Sequence, residues 1–366
     1  MFKRSKPIAI MKILFGIHGT THTEIAQSEI DEFQKLGFET GVCTYGNWGS
    51  ANGLFKSFRL VIKNAIEIKK KVAAEKYNMV YLNTGLDYKT LLRDSITIFI
   101  LRRYSKKNKI VLKIHGAQNR FIFSKTNLFK KYVFKKANLL LVLSSEERKS
   151  FLSIGLPPNK VQVTANVIDK SLYTTDPGFK AKFGLAKNIQ ILLFVGRFIK
   201  PKGIIDLIEA CKLLKNSTAD FKLFCLGDGP LVNEAKALID AYQLTNNMHF
   251  AGHISESEAR HFYANCDILV LPTYHEEGFP MAVFQAVGAG KPVITTKIRA
   301  AADYLVANEN CLWVEAKNPG QIASQILILM NDKPLQDKMK KNNLVLAEKF
   351  TPEKIVGNII EYFKFM

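Results

Sequence analysis

The chain has 366 residues, of which 47% are hydrophobic, and this is room for two domains of ordinary size, each with its own core. No apolar run approaches the roughly 18–20 residues that a membrane-spanning helix needs, and the short, interrupted apolar segment at the start does not fit a secretory signal. The five cysteines include no C-x-x-C pair, which predicts small buried side chains in a reduced compartment and hence a cytoplasmic protein.

The net charge of +20 is concentrated in the first half of the chain. Residues 1–175 carry 30 Lys and Arg against 12 Asp and Glu, whereas residues 176–366 carry 22 against 20. The densest basic segments are 102–109 and 125–136, and the second has apolar residues at helical spacing among its lysines. A basic amphipathic helix favours an anionic membrane surface, although a solvated lysine-rich face would carry the same charge. Nucleic-acid binding would rest on charge alone and is not predicted.

Short apolar runs alternate with stretches of helical periodicity, and the alternation starts again after Asp176-Pro177-Gly178. This βαβα order predicts mainly parallel sheets with helices on both faces. The predicted strands span 8–17, 40–44, 79–83, 110–114, 139–143, 161–163, 190–195, 221–226, 248–251, 268–271, 292–296 and 311–315. The predicted helices span 22–36, 58–77, 90–104, 126–137, 146–154, 203–216, 231–243, 255–264, 281–289, 320–330, 333–349 and 352–365.

Two doubly wound α/β domains are therefore predicted, over residues 1–175 and 176–350, with residues 166–188 as the linker. Ligands of such folds bind outside the carboxyl ends of the strands, so the expected site is a cleft between two domains that face each other. The last predicted helix has one apolar face and would be left over in a closed second domain. We expect residues 351–366 to cross back to the first domain.

The stretch from His275 to Gly290 combines a polar loop with the start of an apolar helix. Glu277 directly precedes Gly278, and the unpaired N–H groups of the helix start follow. Such a helix start suits anionic or hydroxyl-rich ligands, and a neighbouring carboxylate can accept hydrogen bonds from ligand hydroxyls. The alternative interpretation is an ordinary turn between strand and helix with solvated glutamates.

Two other loops follow predicted strands of the second domain. Arg197, after Gly196, and Lys202 flank a short loop, and two cations beside a helix start can neutralise a diphosphate leaving group. The turn that begins at Gly227 is rich in glycine and permits close approach of the backbone to a ligand, although such turns also serve packing alone.

The order and spacing of these motifs resemble glycosyltransferase family 4, whose members are retaining enzymes of the GT-B fold that use nucleotide-sugar donors. The resemblance covers almost the whole chain, from Ile114-His115-Gly116 through Gly196-Arg197 to Glu277-Gly278-Phe279-Pro280. It implies a hexosyltransferase without cofactor or metal that moves a sugar from a nucleotide diphosphate to a glycan or lipid-linked acceptor. The expected setting is cell-surface polysaccharide biosynthesis at the inner face of the cell membrane.

The resemblance also implies roles for single residues. Arg197 and Lys202 would stabilise the departing diphosphate, and Glu277 would bind hydroxyls of the donor sugar. His115 would lie near the transferred sugar, and the expected reaction is a front-face substitution in which the departing phosphate helps to deprotonate the acceptor hydroxyl. A further set would contact the donor nucleotide and its phosphates: Gly19, Gly196, Gly227, Ile254, Gly278, Phe279, Met281 and Gln285.

Two positions depart from the family pattern. The family's E-x7-E spacing from Glu277 reaches Gln285, whose amide oxygen can accept a hydrogen bond from a ribose hydroxyl but carries no charge. If the ribose is bound in the usual place, Gln285→Glu should tighten nucleotide binding. His18-Gly19-Thr20-Thr21 stands where a Gly-Gly pair is common, which leaves the acceptor loop undetermined.

Two rival functions stay open. One is a nucleotide-sugar epimerase or hydrolase on the same scaffold, and the other is a sugar-nucleotide-binding subunit that has lost catalysis. A dehydrogenase is disfavoured because no G-x-G-x-x-G follows the first strand.

Overall fold

The computed structural model describes residues 11–17, 23–46, 54–117, 122–123, 128–215, 217 and 220–366. The chain forms two compact units, of which one comprises Met1–Val167 with Pro352–Met366 and the other comprises Ile168–Thr351. Several sequence predictions lie outside the described residues: positions 8–10 of the first strand, the loop with Gly19, and positions 125–127 of the second basic segment, which include Lys125.

The first unit alternates strands and helices around one sheet. Along the chain these are β1 (Lys12–Ile17), α1 (Thr23–Lys35), β2 (Glu39–Thr44), α2 (Leu54–Glu75), β3 (Met79–Leu86), α3 (Tyr88–Tyr104), β4 (Lys109–Ala117), α4 (Leu128–Lys136), β5 (Leu139–Val142), α5 (Ser145–Ser153) and β6 (Val161–Val163). The strand order is β2-β1-β3-β4-β5-β6, and neighbouring strands run parallel. The winding direction reverses between β1 and β3, which makes their carboxyl ends the expected ligand-binding edge.

The second unit repeats this plan. It contains α6 (Phe179–Lys182), β7 (Gln190–Val195), α7 (Ile204–Lys215), β8 (Phe221–Leu226), α8 (Val232–Ala241), β9 (Met248–Gly252), α9 (Glu256–Asn265), β10 (Ile268–Leu271), α10 (Met281–Gly288), β11 (Val293–Thr295), α11 (Arg299–Tyr304), β12 (Cys311–Trp313), α12 (Pro319–Asn331) and α13 (Lys333–Ala347). The parallel order is β12-β11-β10-β7-β8-β9, so the switch point lies between β7 and β10. The predicted pair of doubly wound α/β units is thereby confirmed.

The central strands of both sheets are buried on both faces, as parallel sheets covered by helices require. All four residues of β5 and all four of β10 are buried. Polar residues at strand positions are paired: Lys113 of β4 is fully buried and its Nζ lies 2.6 Å from Glu29 Oε2 on α1. The hydroxyl of Tyr81 on β3 donates to the same carboxylate at 2.7 Å.

The boundary between the two compact units lies at Val167/Ile168, which is eight residues before the predicted division at residue 175 and inside the predicted linker 166–188. The segment that begins at Ile168 packs within the second unit. The Ile168 N–H donates to the Phe350 carbonyl at 2.8 Å. The Tyr173 ring packs edge-on against Tyr263 with ring centroids 6.3 Å apart. Further along, Phe179 packs against Phe224 at 5.9 Å. These contacts were not predictable from the composition of the segment, which looks like a linker.

The last helix, α14 (Pro352–Tyr362), belongs to the first unit, as the sequence predicts. Its buried residues Ile355, Val356 and Ile359 form one face, and the helix packs on α1. The Phe363 ring that follows it stacks on Phe33 with an interplanar angle of 13°.

Side chains of the two basic segments are held by hydrogen bonds that their composition does not indicate. Lys130 is buried and donates to the Ile122 carbonyl at 2.6 Å, and burial lowers its pKa. Arg102 donates to the Asn108 carbonyl and to the Asn138 side chain, each at 2.7 Å. Val133 of α4 faces the core and not the solvent. Val133 and Phe134 of this predicted amphipathic helix therefore pack inward, whereas Phe129 is 47% exposed, and membrane binding stays a prediction. No helix within the described residues is long and apolar enough to cross a membrane.

Candidate functional site

Lys202 and Glu277 meet at the switch point of the second sheet. Lys202 lies in the short 3-10 turn Lys200–Lys202 after β7, and its Nζ lies 2.5 Å from Glu277 Oε1 in the loop after β10. The Lys202 side chain is 9% exposed, whereas that of Glu277 is 31% exposed. The cation is therefore held inside the loops, and the carboxylate can be reached from solvent.

The loop after β10 holds this turn in place. The Pro201 carbonyl accepts hydrogen bonds from the Tyr274 N–H at 2.8 Å and from the Thr273 hydroxyl at 3.1 Å. Gly203 has a φ of +75°, and a Cβ there would lie 2.5 Å from the Pro272 carbonyl oxygen. The two loops are in backbone contact, which explains why glycine follows Lys202.

The glycine-rich turn after β8 joins the same edge. The Gly227 N–H donates to the Gly252 carbonyl at 2.8 Å, and the Gly196 N–H donates to the Leu226 carbonyl at 3.0 Å. Gly227 has a φ of +134°, and a Cβ there would lie 2.1 Å from the Gly196 oxygen. The predicted residues Gly196 and Gly227 therefore touch, and half-buried Ile254 follows Gly252 by two positions.

Arg197 and His275 lie near the Lys202–Glu277 pair. Arg197 is exposed beside the Lys202 turn. Burial lowers the pKa of His275; Glu277 opposes this shift, while the positive charges of Lys202 and Arg197 reinforce it. Among the described residues, the buried Nδ1 of His275 has no hydrogen-bond partner. An imidazole with a lowered pKa thus lies within electrostatic reach of Lys202 and Arg197, the residues predicted to bind the diphosphate, and the sequence did not single out this histidine.

The helix start after Glu277 is anchored by its aromatic residue. The Phe279 side chain is buried and stacks on Phe284 with ring centroids 3.7 Å apart, so only its backbone is available to a ligand. The buried Gly278 offers its carbonyl to the Ala300 N–H at 3.2 Å, at the start of α11. Met281 is half-buried as the first residue of α10.

Gln285 contacts a residue that the sequence did not point to. Its Nε2 donates to Glu256 Oε1 at 3.1 Å, and the two side chains come from helices α10 and α9, which pack together. Nothing in the linear pattern reveals this contact, because 29 positions separate the two residues.

In the first unit, His115 lies on β4 and is exposed. Its Nε2 lies 2.8 Å from Asn83 Oδ1, and the Asn83 amide donates to the Gly16 carbonyl at 3.3 Å. Because the Asn83 nitrogen faces a carbonyl, its oxygen faces the imidazole, and His115 donates from Nε2. Asn83 therefore connects the predicted residue His115 to the carboxyl end of β1 across the switch point of this sheet.

The described ranges contain no group of three or more His, Cys, Asp or Glu side chains that could hold a metal ion. Metal independence stays a prediction, as do the individual roles of the site residues.

Residues 176–344 match the family model described as "Glycosyl transferases group 1". The chain is 24% identical over 345 residues to the lipopolysaccharide 1,2-N-acetylglucosaminetransferase of Salmonella typhimurium, which covers 84% of this chain and 90% of that protein. It is 30% identical over 172 residues to the capsular polysaccharide biosynthesis glycosyltransferase CapM of Staphylococcus aureus, covering 47% and 44% of the two chains.

Among solved structures, Anabaena Alr3699/HepE in complex with UDP and glucose is similar, with a TM-score of 0.76 and 19% identity over 97% of this chain and 100% of that one. At this identity the similarity establishes the fold alone. Together with the matched family model and the named relatives, the two parallel six-stranded sheets identify the chain as a glycosyltransferase enzyme with the GT-B fold.

Proposed function

We propose that this glycosyltransferase moves a sugar from a nucleotide-diphosphate sugar to a glycan or lipid-linked acceptor in cell-surface polysaccharide biosynthesis, with retention at the anomeric carbon. The observation that carries the proposal is the Lys202–Glu277 pair at the β7/β10 switch point, where a buried cation and an accessible carboxylate lie side by side. HepE binds UDP and glucose, which supports a nucleotide-sugar donor. The relatives named for lipopolysaccharide and capsular polysaccharide synthesis support the cell-surface setting.

In this proposal the cations Lys202 and Arg197 bind the diphosphate, and the carboxylate of Glu277 binds the sugar. The Lys202 ammonium has three donors, so it can hold Glu277 and still donate to a phosphate oxygen. Together with exposed Arg197 it would stabilise charge that builds on the diphosphate as the bond to the anomeric carbon breaks. Glu277 would accept hydrogen bonds from sugar hydroxyls. The acceptor oxygen would attack from the same face, and its proton would pass to the departing phosphate.

The two cations also supply the positive charge for which other enzymes use a divalent ion. We therefore propose that turnover needs no metal. Activity in excess EDTA equal to that in Mg²⁺ buffer would agree with this, and activity that returns only when Mg²⁺ or Mn²⁺ is added back would contradict it.

A donor screen followed by product analysis tests the proposal. Thermal stabilisation by UDP-, GDP-, ADP- and dTDP-sugars selects the donor, since a ligand at 100 times its Kd adds about 2.7 kcal/mol. The selected donor is then incubated with extracted glycolipid acceptors, and NMR reports the product's anomeric configuration. A glycosylated product with the donor's configuration is expected. An inverted product would refute retention, and donor consumed without any acceptor would support the epimerase or hydrolase.

We further propose that the first unit binds an anionic membrane surface through helices α2, α3 and α4. These helices pack side by side and expose apolar residues, each at least 40% accessible, which we call the helical face: Phe58, Ile66, Phe99, Tyr104 and Phe129. Basic residues accompany them: the Lys69 Nζ lies 5.7 Å from the Tyr104 ring centroid, and the Arg103 guanidinium lies 5.9 Å from that of Phe99. Exposed aromatic residues among cations suit the boundary of an anionic bilayer.

Co-sedimentation with phosphatidylglycerol and phosphatidylcholine vesicles tests this surface. The chain should bind only the anionic vesicles, and binding should weaken with salt. A Phe58→Ser/Phe99→Ser variant should lose binding, while Ile328→Ser, which changes an exposed apolar residue of the second unit, should keep it. Equal binding by both variants would refute the helical face as the membrane contact.

A further inference from the structure

Gln285 stands where the E-x7-E pattern has a carboxylate, and the carboxylate of Glu256 lies beside it. Gln285 lies in the second turn of α10, and its side-chain amide donates to Glu256 in the first turn of α9. Both side chains are half-buried, so the contact lies at the surface of the unit and not in its core. An amide nitrogen facing a carboxylate orients the amide and places a negative charge beside it.

The helix cap at Ser255 fixes the backbone position of Glu256. Ser255 caps α9: its hydroxyl accepts from the Glu258 N–H at 3.2 Å, and the Glu258 carboxylate accepts from the Ser255 N–H at 2.9 Å. This reciprocal cap holds the first turn of the helix in one geometry. The backbone of Glu256 is therefore held by the cap, and the negative charge of its carboxylate is favourable at a helix N-terminus.

The pair joins the two chain segments that carry predicted donor contacts. Glu256 follows Ile254 by two residues along the chain, and Gln285 follows Glu277 by eight. Under the proposed function, Ile254 contacts the base and Glu277 contacts the donor sugar. The part of a nucleotide that lies between its base and its phosphates is the ribose, which presents two hydroxyl donors.

We propose that Glu256 supplies the carboxylate that binds the ribose hydroxyls of the donor nucleotide, and that Gln285 acts as its positioning residue. This inference rests on the proposed function. A carboxylate has about four acceptor positions, and the contact with the Gln285 amide uses one of them. The negative charge that E-x7-E enzymes carry on α10 is thus carried on α9. Gln285→Glu would place two carboxylates together, and it should weaken nucleotide binding, contrary to the expectation from sequence alone.

Calorimetry with paired probes tests the inference. The probes are the nucleoside diphosphate that most stabilises the wild type and its 2′,3′-dideoxy analogue. Glu256→Gln should lower affinity for the first about tenfold or more, the range for losing a hydrogen bond to a charged group, and should leave affinity for the second nearly unchanged. A merely structural role would lower both affinities equally.

Exchanging the amide and the carboxylate between positions 256 and 285 tests the same pair, with a matched control variant. Gln285→Glu alone should bind more weakly than the wild type, and the double variant Glu256→Gln/Gln285→Glu should recover most of the loss, because an amide again faces a carboxylate. Glu234→Gln is the control, since Glu234 is an exposed acid in the first turn of α8 in the same unit. Unchanged binding by Glu256→Gln, equal losses for both probes, or tighter binding by Gln285→Glu would each overturn the inference. A wild type that binds no nucleoside diphosphate would refute the proposed function itself.

Discussion

Lys202 and Glu277 lie 2.5 Å apart although 75 positions separate them in the chain. The pair exists because β7 and β10 are neighbours in the second sheet and because the Pro201 carbonyl receives two hydrogen bonds from the loop after β10. It combines a desolvated cation with an accessible carboxylate, which is the combination that a sugar diphosphate needs.

Removing either partner should lower turnover by about two to three orders of magnitude, the typical loss when preorganised transition-state electrostatics are removed. Because each partner holds the other, the Lys202→Ala/Glu277→Ala double variant should lose less than the product of the two single losses. Steady-state kinetics with the selected donor measure this. Glu276→Ala, at the exposed neighbouring position, is the control, and full activity in either single variant would show that the assigned roles are wrong.

Gly227→Ala should destabilise the second unit by about 1–3 kcal/mol and weaken nucleotide binding, since the new methyl group would collide with the Gly196 carbonyl. Gly252→Ala is the matched control: its φ is +71°, but no atom lies within 4 Å of the added carbon. It should show only the smaller effect of backbone strain, about 1–2 kcal/mol, with binding intact. Urea unfolding and calorimetry measure both, and equal binding by the two variants would contradict the account.

Lys113→Met should destabilise the first unit by about 3–5 kcal/mol, because it leaves the buried Glu29 carboxylate without its cation. Adding Glu29→Gln should restore much of the loss, since the uncompensated charge is then gone. Urea unfolding of the single and double variants measures the difference. A single variant as stable as the wild type would mean that the pair contributes nothing to the fold.

The second unit should lose stability in mild acid. The pKa of His275 is lowered from its ordinary 6.5 by burial, so the fold favours the neutral ring and the unfolded chain binds the proton more readily. Stability should therefore fall as the pH drops below about 6.5. His275→Gln should reduce this fall, and part should remain, because burial also lowers the pKa of His249. Thermal unfolding between pH 7.5 and 5 measures it, and identical pH profiles would contradict it.

The element pattern was predictable because it depends on local periodicity. Buried parallel strands show continuous apolar runs, and the helices between them show one apolar face, so each of the twelve strands among the described residues overlaps a predicted strand. The glycine at 227 also stood out in the sequence, and a Cβ there would collide with the Gly196 carbonyl oxygen.

Side-chain partnerships across helices and strands were not predictable. The contacts of Gln285 with Glu256 and of His115 with Asn83 depend on which elements are neighbours, and no spacing rule within one element reveals them. Charge was misleading for the same reason. Lys130 lies in a lysine-rich run that reads as a solvated face, yet its ammonium group is buried against a backbone carbonyl.

Calorimetric titration of the intact chain with the selected nucleoside diphosphate measures whether Lys202 binds the diphosphate of the donor. The wild type should bind one equivalent, and Lys202→Ala should bind about ten to a hundred times more weakly, because a charge-assisted contact to phosphate is lost. Lys200→Ala, which changes the exposed lysine of the same turn, should bind like the wild type. Lys202→Ala with unchanged affinity would contradict the account, because the diphosphate would then bind elsewhere.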